Sequence, residues 1–254
     1  EAGRDNAPDW DGAMRGIDAS DVGDYTRRDT SHVDPAMRPT KYDYDRYLKL
    51  VQLGVSVGWD QARLLEINPF RVADPTMTFT LLRANRDLLA MGTRFGEDVS
   101  EIKEWIATLE AGAGTLWNDA IQGYDSRDAR AGTFNGVLSN ASALCWYAGI
   151  DNPKARPAIQ RMLEAAEYGL ASYDPEGNGF EALRYWRGPT WPIMNYLVGS
   201  GMEEMGITDL AARIRNDTSR LMQMNGFAEY YDPHVGTPAG GDSFTWTAAV
   251  WLGW

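Results

Sequence analysis

Apolar residues recur every three or four positions along most of the chain, in runs separated by segments rich in Gly, Pro, Asp and aromatic residues. Such spacing lines one face of a helix, and little of the chain shows the strict alternation of a half-buried strand. The clearest run is Val99, Ile102, Ile106 and Leu109, preceded by Asp98 with Glu101 three positions on, the pattern of a capping box. Ile159, Met162, Leu163, Ala166 and Leu170 repeat the spacing behind Pro157, a residue suited to a first helical turn. Thr208 is expected to cap a helix carrying Leu210, Ile214 and Leu221, which should stop at Asn225-Gly226. Further helices are expected over residues 43–55, 78–91, 133–148, 191–205 and 243–251, about eight in all.

Between these runs the loops are long, and residues 17–41 form a polar stretch without period. Long loops of ordered-looking composition usually carry function. An all-α chain built this way suggests a ring of helix hairpins whose loops converge on a central cavity. Nothing resembling a linker divides residues 1–254, so one domain is expected.

Composition narrows the choice of partner. At 254 residues and 44% hydrophobic content the chain can bury a full core. The apolar stretches are interrupted too often to span a bilayer. A net charge of −12, with no basic run longer than Arg27-Arg28, argues against a nucleic-acid partner. One cysteine and two histidines exclude a Cys/His metal cluster, and Cys145 lies in an apolar run where an inert core thiol is expected. No Gly-rich phosphate loop follows a strand, and no cofactor is implied. The chain opens at Glu1 directly into a motif-dense segment, from which further chain upstream is expected.

Four clusters combine carboxylates with aromatic residues: Glu1 to Trp10, Tyr185 to Pro192, Glu229 to Pro233, and Gly240 to Thr247. Sugars present C–H faces that stack on rings, and hydroxyls that bond to carboxylate, amide or guanidinium groups. Breaking a glycosidic bond takes one carboxylic acid to protonate the leaving oxygen and one carboxylate to activate water or attack the anomeric carbon. Asp5 and Glu229 form the best pair, each in a loop flanked by small or aromatic residues. Residue types alone favour the plainer reading, in which Asp5 caps the next helix and Glu229 simply pairs with an Arg.

Gly-Arg-Asp-Asn-Ala-Pro at residues 3–8, Tyr-Trp-Arg-Gly-Pro-Thr-Trp-Pro at 185–192, Glu-Tyr-Tyr-Asp-Pro at 229–233 and Phe-Thr-Trp-Thr-Ala-Ala at 244–249 follow one another in this order. The set resembles the motifs of glycoside hydrolase family 63, and within it the bacterial mannosylglycerate and glucosylglycerate hydrolases. The resemblance implies an (α/α)6 barrel, here without its N-terminal helices, and hydrolysis with inversion. It implies Asp5 as general acid and Glu229 as general base.

Around this pair, Tyr185, Trp186, Arg187 and Trp191 are candidates for a stacking platform and hydroxyl clamp. Arg38 and Tyr44, at the end of the polar loop, could bind a small carboxylate such as glycerate, for which a guanidinium fork is the natural partner. Arg4 could hold the site's geometry or touch sugar, Asp242 could cap the last helix or orient the Glu229 loop, and His32 and His234 read as surface residues. The expected partner is a small glycoside, with neither membrane nor nucleic acid involved, in a cytoplasmic protein that could self-associate. Competing readings are a trehalase-like or other α-glucosidase on the same toroid, and a sugar-binding protein without catalysis.

Overall fold

The computed structural model describes residues 3–254; the opening Glu1 and Ala2 of the first cluster lie outside the described residues. Ten helices appear among them: α1 (Asp11–Arg15), α2 (Lys41–Ser56), α3 (Gln61–Ile67), α4 (Pro75–Phe95), α5 (Ser100–Gly114), α6 (Leu144–Tyr147), α7 (Arg156–Glu164), α8 (Pro192–Glu204), α9 (Thr208–Asn225) and α10 (Thr245–Gly253). The strands are pairs of residues. Val72–Ala73, Arg127–Asp128 and Thr133–Phe134 form one small antiparallel sheet, Trp117–Asn118 pairs with Gly123–Tyr124, and Tyr230–Tyr231 pairs with Pro238–Ala239.

Local chemistry sets most helix ends. Asp74 accepts from the Met77 amide to start α4, Pro75 occupies its first turn, and Gly96 closes it with a left-handed φ of 74°. Thr40 and Asp43 form a full capping box on α2. Asn225-Gly226 ends α9 as expected, with φ of 71° at Gly226. The expectation at α5 fails in detail: its N-cap is Val99, and Asp98 accepts from the amide and hydroxyl of Ser100 without completing a capping box. Thr208 begins α9 but does not cap it. Asp242 makes no cap either, since α10 follows Phe244.

The expected helix over 133–148 is mostly not one. Thr133–Phe134 is a strand, Asn140–Ala143 a 3-10 turn, and only Leu144–Tyr147 is helical. Residues 137–146 fit either state because they are buried on all sides, which removes the polar face that would report a period. α7 likewise ends at Glu164, so that Ala166 and Leu170 lie outside it and Ala171 bridges to Thr190.

α6 is the core's centre, with Leu144, Cys145 and Trp146 fully buried. It packs against α4 and α8, while α4 lies along α5 and α8 along α9. Gly201 permits the closest approach: a Cβ there would run into the Tyr147 backbone, so α8 and α6 meet nearly backbone to backbone. Burial pushes the Cys145 thiol well above its usual range, as suits an inert core residue. No helix among the described residues is long and apolar enough to cross a membrane.

Candidate active site

Asp5 sits on a loop fixed by its neighbours. Arg4 turns inward, 1% exposed, and pairs with Asp9 at 2.9 Å and Asp74 at 3.1 Å. Burial opposes its charge, but the two carboxylates outweigh burial and hold the guanidinium above its usual range. The Ser139 hydroxyl donates to Asp9 at 3.0 Å, and the Trp10 indole donates to the Arg4 carbonyl at 2.7 Å. Asn6 then turns the chain through a left-handed φ of 56°. Its amide donates to the Tyr47 hydroxyl at 2.8 Å, and its side-chain oxygen accepts from the Trp186 amide at 3.3 Å. Arg4 therefore holds geometry, with its charge committed away from Asp5. Among the described residues no hydrogen-bond or ion-pair partner holds the Asp5 carboxylate, which acts electrostatically on the Tyr44 and Tyr185 phenols.

The second motif is a stack of rings. Trp186 lies flat on Trp191, with centroids 4.0 Å apart and planes 7° from parallel. Trp191 rests in turn on Tyr230 at 4.7 Å. Its indole N–H donates to the Tyr185 carbonyl at 2.9 Å, and only 2% of it is exposed. Both faces of Trp191 are thus occupied, and the ring supports the platform from beneath; the Trp186 indole N–H is buried without a partner among the described residues. Arg187 grips Asp11 through two bonds of 2.9 Å and donates to the Asn6 carbonyl at 3.2 Å. It ties this motif to the Asp5 loop. Tyr185 adopts φ of 38°, a conformation an aromatic residue adopts only under strong surrounding restraint.

Glu229 is placed by backbone pairing. Its amide donates to the Gly241 carbonyl at 2.8 Å, and the Gly241 amide donates to its Oε2 at 3.0 Å. The hairpin continues through Tyr230–Ala239 and Tyr231–Pro238, and Tyr231 exchanges bonds with Thr190 at 2.8 and 3.0 Å. That bridge joins the Glu229 and Trp186 segments. Gly240, at φ of 74°, has no substitute, because a Cβ would lie 2.5 Å from Glu229 Oε2.

Three motifs thus meet at Tyr185. Burial is the main cause that pushes its phenol up to about 12, with Glu229 and Asp5 both adding to the shift and Arg38 opposing it. Arg38 lies over the Tyr185 ring, 4.7 Å from its centroid, and bonds to both oxygens of Glu229 at 3.0 and 3.4 Å. Burial works against the Arg38 charge, and Glu229, Tyr185 and Tyr230 together outweigh it. Tyr44, on the first turns of α2, stacks on Arg27 at 3.9 Å, and its phenol too is pushed up to about 12, first by burial and then by Asp29. A cleft of about 350 Å3 beside these residues is lined by Asn6, Thr40, Asp43, Arg184 and Arg187, without Asp5 or Glu229 on its walls. His32 and His234 are exposed, with His234 edge-on to Phe180.

With this geometry in view, comparison with known proteins is decisive. Residues 1–247 match the family described as mannosylglycerate hydrolase MGH1-like glycoside hydrolase domain. The chain belongs to this family. A mannosylglycerate hydrolase from Thermus thermophilus is 40% identical over 258 residues, covering all of this chain and 62% of that protein. A glucosylglycerate hydrolase from Mycolicibacterium hassiacum is 29% identical over 277 residues, covering all of this chain and 60% of its own length. The crystal structure of a GH63 mannosylglycerate hydrolase from Thermus thermophilus in complex with Tris and D-glycerate superposes with a TM-score of 0.95 at 39% identity, over 98% of this chain and 62% of that one. The all-α (α/α)6 toroid that the motifs imply is the architecture to which these helix hairpins belong. The chain spans about three-fifths of the length of these relatives.

Tyr47 and Asp74, which support the Asp5 loop, escape sequence reading, and Asn6, Asp9 and Tyr230 lie within the motif clusters without their supporting contacts being legible there. Asn after Asp and the Gly240-Gly241 pair do signal left-handed turns. No local pattern links Asp74 to Arg4, seventy residues away.

Proposed function

We propose that this chain forms one catalytic domain of an inverting α-glycoside hydrolase acting on mannosylglycerate or glucosylglycerate, with Asp5 as general acid and Glu229 as general base. The observation that carries the reading is the convergence of both carboxylates on the Tyr185 phenol, beside a buried tryptophan stack. Asp5, without a partner among the described residues, hands a proton to the glycosidic oxygen. Glu229 is held rigidly by Gly241 and takes a proton from the attacking water. Trp186 and Tyr185 face the sugar, and Trp191 and Arg187 keep them and the Asp5 loop in place. Arg38 and Tyr44 face the aglycone, where the guanidinium suits a glycerate carboxylate. Proton transfer between two carboxyl groups and water needs no cofactor. The greater identity to the Thermus mannosylglycerate hydrolase favours mannose over glucose at the sugar position.

The test is sugar release by the full-length protein from mannosylglycerate, glucosylglycerate and trehalose, with the anomer formed first read by NMR. Release of the β-anomer from a glycerate glycoside, abolished in Glu229→Gln, is the expected result. An α-anomer would exclude inversion, and release from trehalose alone would assign the trehalase-like reading.

A further inference from the structure

Arg38 is claimed by two carboxylates. Its fork spans both oxygens of Glu229, at 3.4 Å from Nη1 to Oε1 and 3.0 Å from Nη2 to Oε2, while the Gly241 amide takes a further position on Oε2. A bidentate guanidinium covers the facing lone pairs of both carboxylate oxygens, the ones a general base uses to accept a proton from water. In this arrangement Glu229 is well placed but engaged. The reading above, on which this inference rests, assigns the same guanidinium to the carboxylate of the aglycone.

One guanidinium cannot neutralise both, particularly with the Asp5 charge close enough to act on the same Tyr185 phenol. The attachment of Arg38 suits an exchange. Its main chain is fixed: Arg184 donates to the Arg38 carbonyl at 3.1 Å, and the Tyr230 hydroxyl donates to the Met37 carbonyl at 2.8 Å. Its side chain, by contrast, is held by Glu229 and the face of Tyr185. Its Nε–H is buried without a partner among the described residues, an unspent donor on the edge of the guanidinium that Glu229 does not use.

We propose that Arg38 is a latch on the general base: a carboxylate arriving in the aglycone position takes the free Nε edge, draws the fork off Glu229, and so releases the base only when an anionic aglycone is bound. Recognition of the aglycone then appears in turnover as well as in binding. A neutral glycoside of the same sugar meets an engaged base and turns over slowly.

The experiment separates the two halves of a substrate. The full-length protein hydrolyses α-mannosyl fluoride, whose leaving group is one atom, while free D-glycerate is titrated in, with glycerol as the neutral control. Glycerate should raise kcat about tenfold, and glycerol should not. In Arg38→Gln the fluoride should be hydrolysed at the raised rate without glycerate, and added glycerate should change nothing. Inhibition by glycerate, or no effect, in an enzyme that does release mannose overturns the latch and leaves the hydrolase reading standing. A variant slower than wild type without glycerate overturns it too. If neither the fluoride nor mannosylglycerate yields sugar, the hydrolase reading fails and the latch with it. Should the variant not fold, as its melting curve would show, the wild-type titration decides alone.

Discussion

The loop that carries Asp5 is held by side chains buried among themselves, whereas the hairpin that carries Glu229 is held by main-chain pairing. Around Asp5, the Arg4–Asp9–Asp74 cluster, Asn6 and Arg187 fix the backbone and leave the carboxylate without a partner among the described residues. Around Glu229, the Gly241 and Thr190 bridges fix the backbone, and the carboxylate is itself gripped by Arg38 and the Gly241 amide. The difference matches the two tasks. On the roles proposed above, the acid's carboxyl stays open to the leaving oxygen, while the hairpin aims the base and Arg38 engages it until an aglycone carboxylate arrives.

The sharpest way to break the comparison is to remove the need for an acid. With α-mannosyl fluoride, which leaves without protonation, Asp5→Asn should keep most of its turnover and Glu229→Gln should lose about 10²–10⁴-fold; with mannosylglycerate both should fall. Equal losses on the fluoride would make the two roles indistinguishable. Next in size, Arg4→Met strands Asp9 and Asp74 as uncompensated buried charges, and urea unfolding should show a loss of about 3–5 kcal/mol. A loss near zero would mean that the buried cluster is not what secures the Asp5 loop.

On the other side of the comparison, Gly240→Ala should cost about 1–2 kcal/mol through its left-handed φ, with a drop in kcat because the new Cβ crowds Glu229 Oε2. Unchanged kcat would show that the hairpin tolerates displacement of its carboxylate. The smallest effect is on the alkaline side. Tyr185 and Tyr231, both pushed up to about 12, first by burial, bind their protons more tightly folded than unfolded. Their contribution to stability is complete below the unfolded phenol value near 10 and is lost as pH rises from there to about 12. Denaturation followed with tyrosinate absorbance should show ionisation and unfolding together in that window, and free titration near 10 in the native state would contradict it.

Much of this was legible along the chain. The helices with a polar face, such as α7 and α9, announce themselves because one side meets water and the other does not. α6 and the extended residues before it do not, since full burial erases the period. The motif residues were visible as chemistry: Asp5 and Glu229 stand out because carboxylates among tryptophan and tyrosine suit sugars. Their supports were not, because Asp74 caps α4 whether or not Arg4 reaches it.

Trp186 and Trp191 mark the same limit. They are alike in sequence context, yet Trp191 is closed on both faces, between Trp186 and Tyr230. Arg38 could be read as a carboxylate binder from its residue type, but which carboxylate it binds is a question of distance. The sequence by itself determined the all-α architecture and the family, and it marked Asp5 and Glu229 as the candidate reacting groups, because periodicity, turn residues and side-chain chemistry are local properties. Tertiary structure alone decided which charge faces which, since ion pairs and stacked rings depend on separations of a few ångströms between segments far apart in the chain.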